Sequence, residues 1–235
     1  MKKNKVQKSK KQKQGAKKQE LILGVEDSGR GPVIGPLVMA GVMIPPEKEE
    51  FFRKIGVKDS KKLSARRREE LAAIIKATAE FSITKIWPYE IDFGNHAGIN
   101  LNKLEAIKAA QIINDMQPDV VIIDCPSPNT QKWQQEVEKR LQLQKKPKIS
   151  CEHKADVKYP VVSAASIIAK VERDKEIEKI QQKIPLAIGS GYPADPITKK
   201  FLEDNWEKYR SIFRQTWQTW QRQKRGKEQK KLSEF

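Results

Sequence analysis

Residues 21–31 have the sequence LILGVEDSGRG, an apolar run that ends in two adjacent carboxylates and then turns at Gly-Arg-Gly. The apolar run predicts a β-strand, and successive side chains of a strand point to opposite faces. Glu26 and Asp27 therefore cannot both belong to the core. A strand that ends in acids offers oxygen ligands for a metal ion. The glycine-flanked arginine beside them offers a guanidinium and a backbone that can bind phosphate.

Two further acids stand where an apolar segment opens into a loop. Asp124 ends the buried strand predicted for 119–124, and Asp156 follows the strand predicted for 148–152. Acids at strand ends can converge over one edge of a sheet and form a site for hard divalent cations. Two such ions about 4 Å apart can activate a water and stabilise the leaving oxygen in phosphodiester hydrolysis. Taken singly, each acid is equally well explained as a loop cap, and spacing alone does not decide.

Positive charge is concentrated at the two ends of this 235-residue chain, whose formal net charge is +17. Residues 1–19 hold nine lysines and no acid, and residues 221–235 carry six bases against two acids. Only about +4 is left for the rest of the chain. Such tails are typical of solvated, disordered segments. They indicate either a solubility tail or non-specific attraction to a polyanion such as nucleic acid.

Composition excludes several classes of protein and site. No segment has the ~18 apolar residues of a membrane span, and the N-terminus lacks the apolar region of a secretory signal. The two cysteines, Cys125 and Cys151, have neither metal-ligand nor disulfide spacing, and only two histidines are present. We therefore expect a soluble, cytoplasmic protein without structural zinc.

Periodicity and turn residues predict a mixed α/β domain with a helical C-terminal extension. The predicted strands cover 21–26, 33–44, 81–87, 119–124 and 148–152. The predicted helices cover 47–54, 100–116, 159–182, 198–206 and 208–224, and a further helix is capped by Ser64.

Five separated motifs resemble those of ribonuclease HII, in the archaeal form of that family, and they occur in the same order. They are GVEDSGRGPVIGPLVMAGV, DSKKLS, VIIDCP, HKADVKYPVVSAASIIAKVERD and GSGYPADPITKKFL. The resemblance runs from about residue 21 to 220, and five motifs are far more specific than a lone glycine-rich turn. It implies an RNase H-like fold, in which helices flank a mixed β-sheet and a C-terminal helical extension follows.

The resemblance implies a metal-dependent endonuclease. Such an enzyme hydrolyses RNA in RNA–DNA hybrids and incises DNA on the 5′ side of embedded ribonucleotides, leaving 3′-hydroxyl and 5′-phosphate ends. Two divalent ions, Mg²⁺ or Mn²⁺, would be its cofactors, and it would act as a monomer. Residues 20–184 would form the catalytic domain and 185–224 a substrate-binding extension, between a disordered basic tail (1–19) and a flexible tail (225–235).

The family's four acidic positions fall on Glu26, Asp27, Asp124 and Asp156, which the resemblance implies are catalytic residues and metal ligands. The family most often has an aspartate and then a glutamate at the first pair, whereas here Glu26 precedes Asp27. The exchange changes the reach at each position by one methylene, which a metal site held to a few tenths of an ångström should register. We expect retained activity with a metal optimum shifted towards Mn²⁺, because Mg²⁺ requires nearly ideal octahedral geometry.

The Gly-Arg-Gly turn, Gly29 to Gly31 with Arg30 between them, falls on the family's element that contacts the ribose. The 2′-hydroxyl that distinguishes RNA is both a donor and an acceptor. A glycine-flanked turn lets backbone groups approach it without a Cβ in the way. Tyr192 falls on the family's junction-sensing tyrosine, whose ring could stack on the adjoining deoxyribose. The alternative for Tyr192 is a buried loop anchor.

Four further residues are candidates for phosphate contacts. Lys61 and Lys62 are good phosphate ligands, with solvated lysines at a helix start as the alternative. Ser163 and Ser166, three residues apart, are expected to contact the phosphate backbone, or else to cap or pack.

The last seven residues, QKKLSEF, resemble the motif by which replication and repair proteins bind the sliding clamp PCNA. Leu232 and Phe235 would lie on one face of a single helical turn and fill an apolar pocket, while Gln229 would fix the register by hydrogen bonding. The motif normally carries two aromatic residues and this chain has one, so a plain tail is the alternative.

The rival class of function is a non-catalytic nucleic-acid-binding or clamp-tethered protein on the same fold. Only the order of Glu26 and Asp27 favours it, because none of the four acids has become Asn or Ala. The related ribonuclease HIII type is disfavoured by the Gly-Arg-Gly form of the turn.

Overall fold

The structure is a computed structural model that describes residues 19–58 and 63–232. Five strands form one mixed sheet, and they are β1 (Ile22–Ser28), β2 (Leu37–Ile44), β3 (Glu80–Ile86), β4 (Val120–Asp124) and β5 (Lys148–Glu152). Their order is β3-β2-β1-β4-β5; β1, β2 and β3 pair antiparallel, and β4 and β5 continue the sheet in parallel. The central strand is therefore β1, and the predicted mixed sheet is confirmed.

Helices cover both faces of this sheet. They are α1 (Lys48–Lys54), α2 (Ala65–Thr78), α3 (Pro88–His96), α4 (Leu101–Met116), α5 (Thr130–Glu138), α6 (Ala155–Lys158), α7 (Pro160–Gln182), α8 (Pro196–Asn205) and α9 (Gln218–Leu232). Alternation along β2 divides the core into two layers: Val38 and Val42 pack with α7 and α2, while Met39 and Met43 pack with α4. No helix in the described ranges is long and apolar enough to cross a membrane.

Helix α7 lies directly on the central strand. A Cβ at Gly24 would lie 2.5 Å from the backbone carbonyl carbon of Val161, so only glycine allows this close approach. The approach fixes the start of α7, and the short helix α6 before it, beside the end of β1. The close contact thereby positions one side of the candidate site.

The C-terminal extension packs on the segment between β1 and β2. Val33 and Ile34 form a third apolar cluster with residues of the extension, among them Phe213. The N–H groups of Val33 and Ile34 both donate to the carbonyl of Gly191, and Ile34 forms an antiparallel bridge with Phe213. These contacts tie the C-terminal segment to the chain that immediately follows the Gly-Arg-Gly turn.

Two predicted elements are wrong in their extent. The strand predicted for 33–44 begins only at Leu37, because the residues before it leave the sheet for the third cluster. The helix predicted for 208–224 is interrupted: a 3₁₀ turn at Arg210–Ile212 is followed by extended Phe213, and α9 begins at Gln218. Phe213 forms a β-bridge with Ile34, and the extended backbone that this bridge requires interrupts the predicted helix.

Helices α3, α5 and α6 were not predicted; α6 lies where a loop was expected to carry Asp156, whereas α3 and α5 carry start signals. Helix α3 begins at Pro88, and the Glu90 side chain accepts from the N–H of Trp87 at 2.9 Å. Asn129 caps α5 by accepting from the N–H of Lys132 at 2.9 Å. Both segments are short, so their periodicity is weak.

The other predicted elements are confirmed, and β5 has the predicted bounds. Ser64 caps α2 as predicted by accepting from the N–H of Arg67 at 3.2 Å. The basic tail predicted for 1–19 lies outside the described residues except for Gln19. The proposed division of the chain at 184 and 224 stays a prediction.

Candidate active site

Three carboxylates meet beside the carboxyl ends of the parallel strands β1 and β4. The pairing of β1 with β4 ends at Val25 and Ile123, so the next residues, Glu26 and Asp124, lie side by side where these two strands separate. Each stays paired with its other neighbour, Glu26 with Ala40 of β2 and Asp124 with Glu152 of β5. Asp156 joins them from the first turn of α6. One carboxylate oxygen from each of Glu26, Asp124 and Asp156 lies within 4.8 Å of the other two. We call these residues the three-carboxylate cluster; it contains three of the four predicted acids.

Asp27, the fourth predicted acid, lies beside this cluster and outside it. Strand alternation turns its side chain to the face opposite that of Glu26, and its N–H donates to Glu26 Oε1 at 3.1 Å. Its charge nevertheless acts on the cluster, because it contributes to the raised pKa of Glu26.

Glu26 carries an electrostatic penalty. Burial raises its pKa well above the usual value, and the charges of Asp27 and Asp124 add to the effect. Its Oε2 atom is buried, and within the described residues it has no hydrogen-bond partner. A buried carboxylate oxygen without a donor, next to other carboxylates, is unfavourable unless a cation neutralises it. The donor set is entirely oxygen, which suits a hard divalent cation.

Asp124 is held in place by the backbone. The N–H of Ala155 donates to Asp124 Oδ1 at 3.0 Å, which joins the end of β4 to the start of α6. The adjoining acid across the sheet, Glu152, is instead bound by Lys158 at 2.7 Å and by the hydroxyl of Tyr159 at 2.8 Å. Of the two acids at these neighbouring strand ends, Asp124 belongs to the three-carboxylate cluster, whereas the carboxylate of Glu152 binds Lys158 and Tyr159.

The Gly-Arg-Gly turn forms one wall of a cleft of about 250 Å³ next to the carboxylates. The cleft is lined by Glu26, Asp27, Ser28, Gly29, Arg30, Gly31, Ser166, Lys170 and Tyr192. Gly29 has a φ of +91°, and a Cβ there would lie 2.9 Å from the side chain of Arg173. Glycine is therefore required at this position for both conformation and space.

Tyr192 lies on the same cleft, and its side chain is accessible. The residue is 38% exposed, so the buried-anchor alternative does not describe it. Its ring centroid lies 5.0 Å from the guanidinium carbon of Arg173, whose Nη2 donates to the carbonyl of Ser190 at 2.8 Å. The buried Arg173 thus supports both the ring of Tyr192 and the loop that carries it.

The side chain of Arg30 is held by helix α4. Its Nη1 forms an ion pair with Glu105 Oε2 at 2.5 Å, and its Nη2 donates to Asn102 Oδ1. Glu105 is fully buried, and burial raises its pKa, with the charge of Asp27 adding to that effect and the charge of Arg30 opposing it. Arg30 is therefore a fixed cation at the edge of the cleft.

Of the four residues predicted to contact phosphate, the structure places one on the cleft and one in the core. Ser166 lines the cleft, whereas Ser163 is 2% exposed and its hydroxyl donates to the carbonyl of Asp156, which favours the packing alternative. Lys61 and Lys62 lie outside the described residues.

The predicted clamp motif is only partly described. Gln229 is exposed on α9, and Leu232 is the last residue of that helix. Phe235 lies outside the described residues.

Several residues that build the cleft were missed from the sequence. Glu105 gave a usable signal, because it falls on the apolar face of α4 next to Leu104 and near Ile112. An acid at a core position indicates a buried partner. Arg173 and Arg214 gave no such signal, because Arg173 lies among charged residues of α7 and Arg214 lies outside any helix or strand, where no periodicity marks a core position.

Comparison with known proteins gives a consistent result. The family model described as Ribonuclease HII matches residues 23–220. The chain is 46% identical over 199 residues to the ribonuclease HII of Methanothermobacter thermautotrophicus, covering 83% of this chain and 95% of that protein. It is 45% identical over 203 residues to the ribonuclease HII of Pyrococcus furiosus, covering 84% and 88%.

Solved structures agree with these sequence matches. The ribonuclease H2 of Pyrococcus horikoshii superposes with a TM-score of 0.80 at 39% identity, covering 88% of this chain and 98% of that one. The ribonuclease HII of Archaeoglobus fulgidus, solved in complex with PCNA, superposes with a TM-score of 0.76 at 40% identity, covering 84% and 95%.

Proposed function

This chain belongs to the ribonuclease HII family, and from that premise we propose that it incises duplex DNA on the 5′ side of an embedded ribonucleotide and hydrolyses RNA in RNA–DNA hybrids. The products would carry 3′-hydroxyl and 5′-phosphate ends. The family consists of metal-dependent hydrolases, so the chain is an enzyme. The observation that carries the proposal is the three-carboxylate cluster beside a cleft walled by the Gly-Arg-Gly turn; Glu26 Oε2 in this cluster has no hydrogen-bond partner among the described residues.

We assign Glu26, Asp124 and Asp156 as ligands of two divalent ions, Mg²⁺ or Mn²⁺, together with Asp27, which lies outside the cluster but lines the same cleft as Glu26. When bound, these ions would activate a water and stabilise the leaving oxygen. The protein contributes by holding the acids together against their mutual repulsion, through the pairing of β1 with β4 and the hydrogen bond from Ala155 to Asp124. Burial raises the pKa of Glu26, and the repulsion from Asp27 and Asp124 adds to that rise.

Selectivity for ribonucleotides is assigned to the cleft wall. The Gly-Arg-Gly turn presents backbone groups to the 2′-hydroxyl, and the accessible ring of Tyr192 packs on the adjoining deoxyribose. Arg30 is kept in place by α4 and attracts the phosphate backbone as a fixed charge. Ser166 and Lys170 line the same cleft and are suited to contact a phosphate.

The proposed activity is tested with duplex DNA that carries a single ribonucleotide, incubated with Mg²⁺, with Mn²⁺ or with chelator. We expect one incision on the 5′ side of the ribonucleotide with either metal and none with chelator. An all-deoxyribonucleotide duplex of the same sequence should stay intact. No incision in either metal would refute the proposal and leave the non-catalytic nucleic-acid-binding protein as the better account.

A second partner, the sliding clamp PCNA, is proposed for residues 229–235. The relative from Archaeoglobus fulgidus was solved in complex with PCNA, and Gln229 is exposed on α9 of this chain. Deletion of residues 229–235 should abolish clamp binding in a pull-down assay while cleavage of free substrate continues at the full rate. Undiminished clamp binding by the truncated protein would exclude this segment as the contact. The monomeric state and cytoplasmic location stay predictions.

A further inference from the structure

Arg214 is a fully buried cation whose donor nitrogens all bind the backbone around one turn. Its Nη2 donates to the carbonyl of Gly29 at 2.7 Å, its Nη1 to that of Arg30 at 2.9 Å and its Nε to that of Gly35 at 3.1 Å. Neutral carbonyls, not carboxylates, accept each of these hydrogen bonds. Burial, together with the charge of Arg173, lowers the pKa of Arg214 to about 9. A buried charge of this kind is costly, so its retention calls for a reason.

The segment that carries Arg214 is fixed on both sides. The N–H of Arg214 donates to the carbonyl of Val33 at 2.9 Å, and Phe213 before it bridges to Ile34. The ring centroid of Trp217 lies 5.1 Å from the guanidinium carbon of Arg214. The guanidinium is therefore held rigidly behind the Gly-Arg-Gly turn by the C-terminal extension.

The hydrogen bonds from Arg214 set the direction of two peptide groups. In a trans peptide the carbonyl of one residue and the N–H of the next point in opposite directions, and the described residues contain no cis peptide. Because Arg214 binds the carbonyls of Gly29 and Arg30, the N–H groups of Arg30 and Gly31 point away from it. Both residues line the cleft, and neither N–H meets an acceptor among the described residues.

We propose that Arg214 is a positioning residue for ribonucleotide selectivity: by binding the carbonyls of Gly29 and Arg30, it aims the N–H groups of Arg30 and Gly31 at the ribose 2′-hydroxyl. The inference rests on the proposed function, because it assigns the orientation of the backbone that reads the ribose. It also gives the C-terminal extension a role in substrate choice beyond holding the duplex. A guanidinium is required, because its planar fork binds two carbonyls at once, whereas an ammonium is a single point charge.

The test compares Arg214→Lys with wild type on two matched duplexes, one with a single ribonucleotide and one with a deoxyribonucleotide at the same position. The first is the substrate, measured as kcat/KM, and the second is a competitor, measured as an inhibition constant. Arg210→Lys is the control, because Arg210 is an exposed arginine of the same segment. Thermal unfolding of each protein reports whether it is folded.

We expect Arg214→Lys to lower kcat/KM for the ribonucleotide duplex by about tenfold, as for the loss of one charge-assisted hydrogen bond. The inhibition constant of the deoxyribonucleotide duplex should stay within about twofold, since selectivity and not general binding is affected. Arg210→Lys should match wild type in both. A merely structural role predicts either no change or an equal loss of substrate cleavage and competitor binding, and either result from a folded variant would overturn the proposal.

If Arg214→Lys does not fold, Trp217→Leu takes its place. This change removes the ring beside the guanidinium and leaves Arg214 itself, so we expect a smaller loss of kcat/KM in the same direction. Wild-type selectivity in a folded Trp217→Leu protein would then overturn the proposal.

The experiment distinguishes failure of the proposed function from failure of the role of Arg214 alone. Failure of wild type to cut the ribonucleotide duplex rejects the proposed function and the role of Arg214 with it. Wild-type cleavage with unchanged variants rejects the role of Arg214 alone.

Discussion

The three-carboxylate cluster, called here the carboxylate wall, and the Gly-Arg-Gly turn beside it, called the selectivity wall, are built in different ways. The three-carboxylate cluster is placed by regular secondary structure, because β1 and β4 are parallel neighbours and α6 begins three residues after the end of β5. The Gly-Arg-Gly turn is placed by side chains from distant parts of the chain. Glu105 binds the side chain of Arg30, and Arg214 binds its backbone from 184 residues away. The sheet therefore positions the acids that we propose to be catalytic, and tertiary contacts of three segments position the turn that we propose to read the ribose.

The largest effect should come from the carboxylate wall. Asp124→Asn should lower the cleavage rate by about three orders of magnitude, because a neutral amide cannot hold the cations that the reaction needs. Its carbonyl oxygen can still accept from the N–H of Ala155, so we expect the fold to survive. Cleavage is measured on the single-ribonucleotide duplex.

Glu152→Gln is the matched control for this change. Glu152 pairs with Asp124 across β4 and β5, but Lys158 and Tyr159 bind its carboxylate. We expect it to cleave within a few-fold of wild type. Normal cleavage by Asp124→Asn, or an equal loss in both variants, would contradict the assignment of the site to these strand ends.

A smaller effect is expected from the turn. Gly29→Ala should lose about 1–2 kcal/mol of unfolding free energy from its positive φ, plus the cost of moving the Arg173 side chain. It should also lose selectivity, because the turn must shift. Urea unfolding and kcat/KM on the two matched duplexes measure the two losses.

Gly98→Ala is the control that separates the cost of a positive φ from the cost of moving a neighbouring side chain. Gly98 has a φ of +75°, and a Cβ there would meet nothing within 4 Å. It should show the backbone cost alone, with unchanged cleavage. If Gly29→Ala were no less stable than Gly98→Ala and just as selective as wild type, the close packing of Gly29 against Arg173 would contribute to neither stability nor selectivity.

The order of the first two acids should have a few-fold effect on metal preference. We expect the parent chain to favour Mn²⁺ over Mg²⁺, because exchange of Glu26 and Asp27 changes the reach of each carboxylate and Mg²⁺ tolerates distortion less well. The double variant Glu26→Asp with Asp27→Glu should move the ratio of cleavage rates back towards Mg²⁺. Equal rates in the two metals for the parent, unchanged in the double variant, would remove the basis of this expectation.

The smallest effect concerns the loop that carries Tyr192. Hydrogen bonds from the backbone and side chain of Ser190, and from the N–H groups of Ile197 and Thr198, lower the pKa of Asp195 to about 2. A carboxyl whose folded pKa lies below its unfolded value stabilises the protein above the unfolded pKa. That stabilisation is lost as the pH falls from about 3.8 towards 2.

Asp195→Asn should therefore be less stable than wild type at pH 6, and the difference should shrink below pH 3.8. Urea unfolding between pH 6 and pH 2 measures it. A difference that stays constant through this range would show that the charge of Asp195 does not hold the loop.

The carboxylate wall was largely predictable from the sequence, and the reason is local. Apolar runs that end in acids specify strands with carboxylates at one end, and parallel pairing then brings Glu26 and Asp124 together. The bounds of β5 follow from the same local pattern. Glu105 could have been noticed as an acid on the apolar face of a helix.

The selectivity wall was not predictable in the same way. The pattern of 208–224 favours a helix, but the bridge between Phe213 and Ile34 breaks it, and Arg214 comes to lie behind the turn for that reason. Such a contact joins residues far apart in the chain, and no local pattern encodes it.

The most direct test of the division between the two walls is the binding of Asp124→Asn and Gly29→Ala to the two matched duplexes. Fluorescence anisotropy in the presence of Mg²⁺ gives the ratio of affinities for the ribonucleotide and deoxyribonucleotide duplexes. The reference is Asp156→Asn, which we expect to be catalytically inactive. We expect Asp124→Asn to keep the ratio of that reference and Gly29→Ala, combined with Asp156→Asn, to lose most of it. If Asp124→Asn lost the preference while the Gly29→Ala double variant kept it, the separation of chemistry from selectivity would be contradicted.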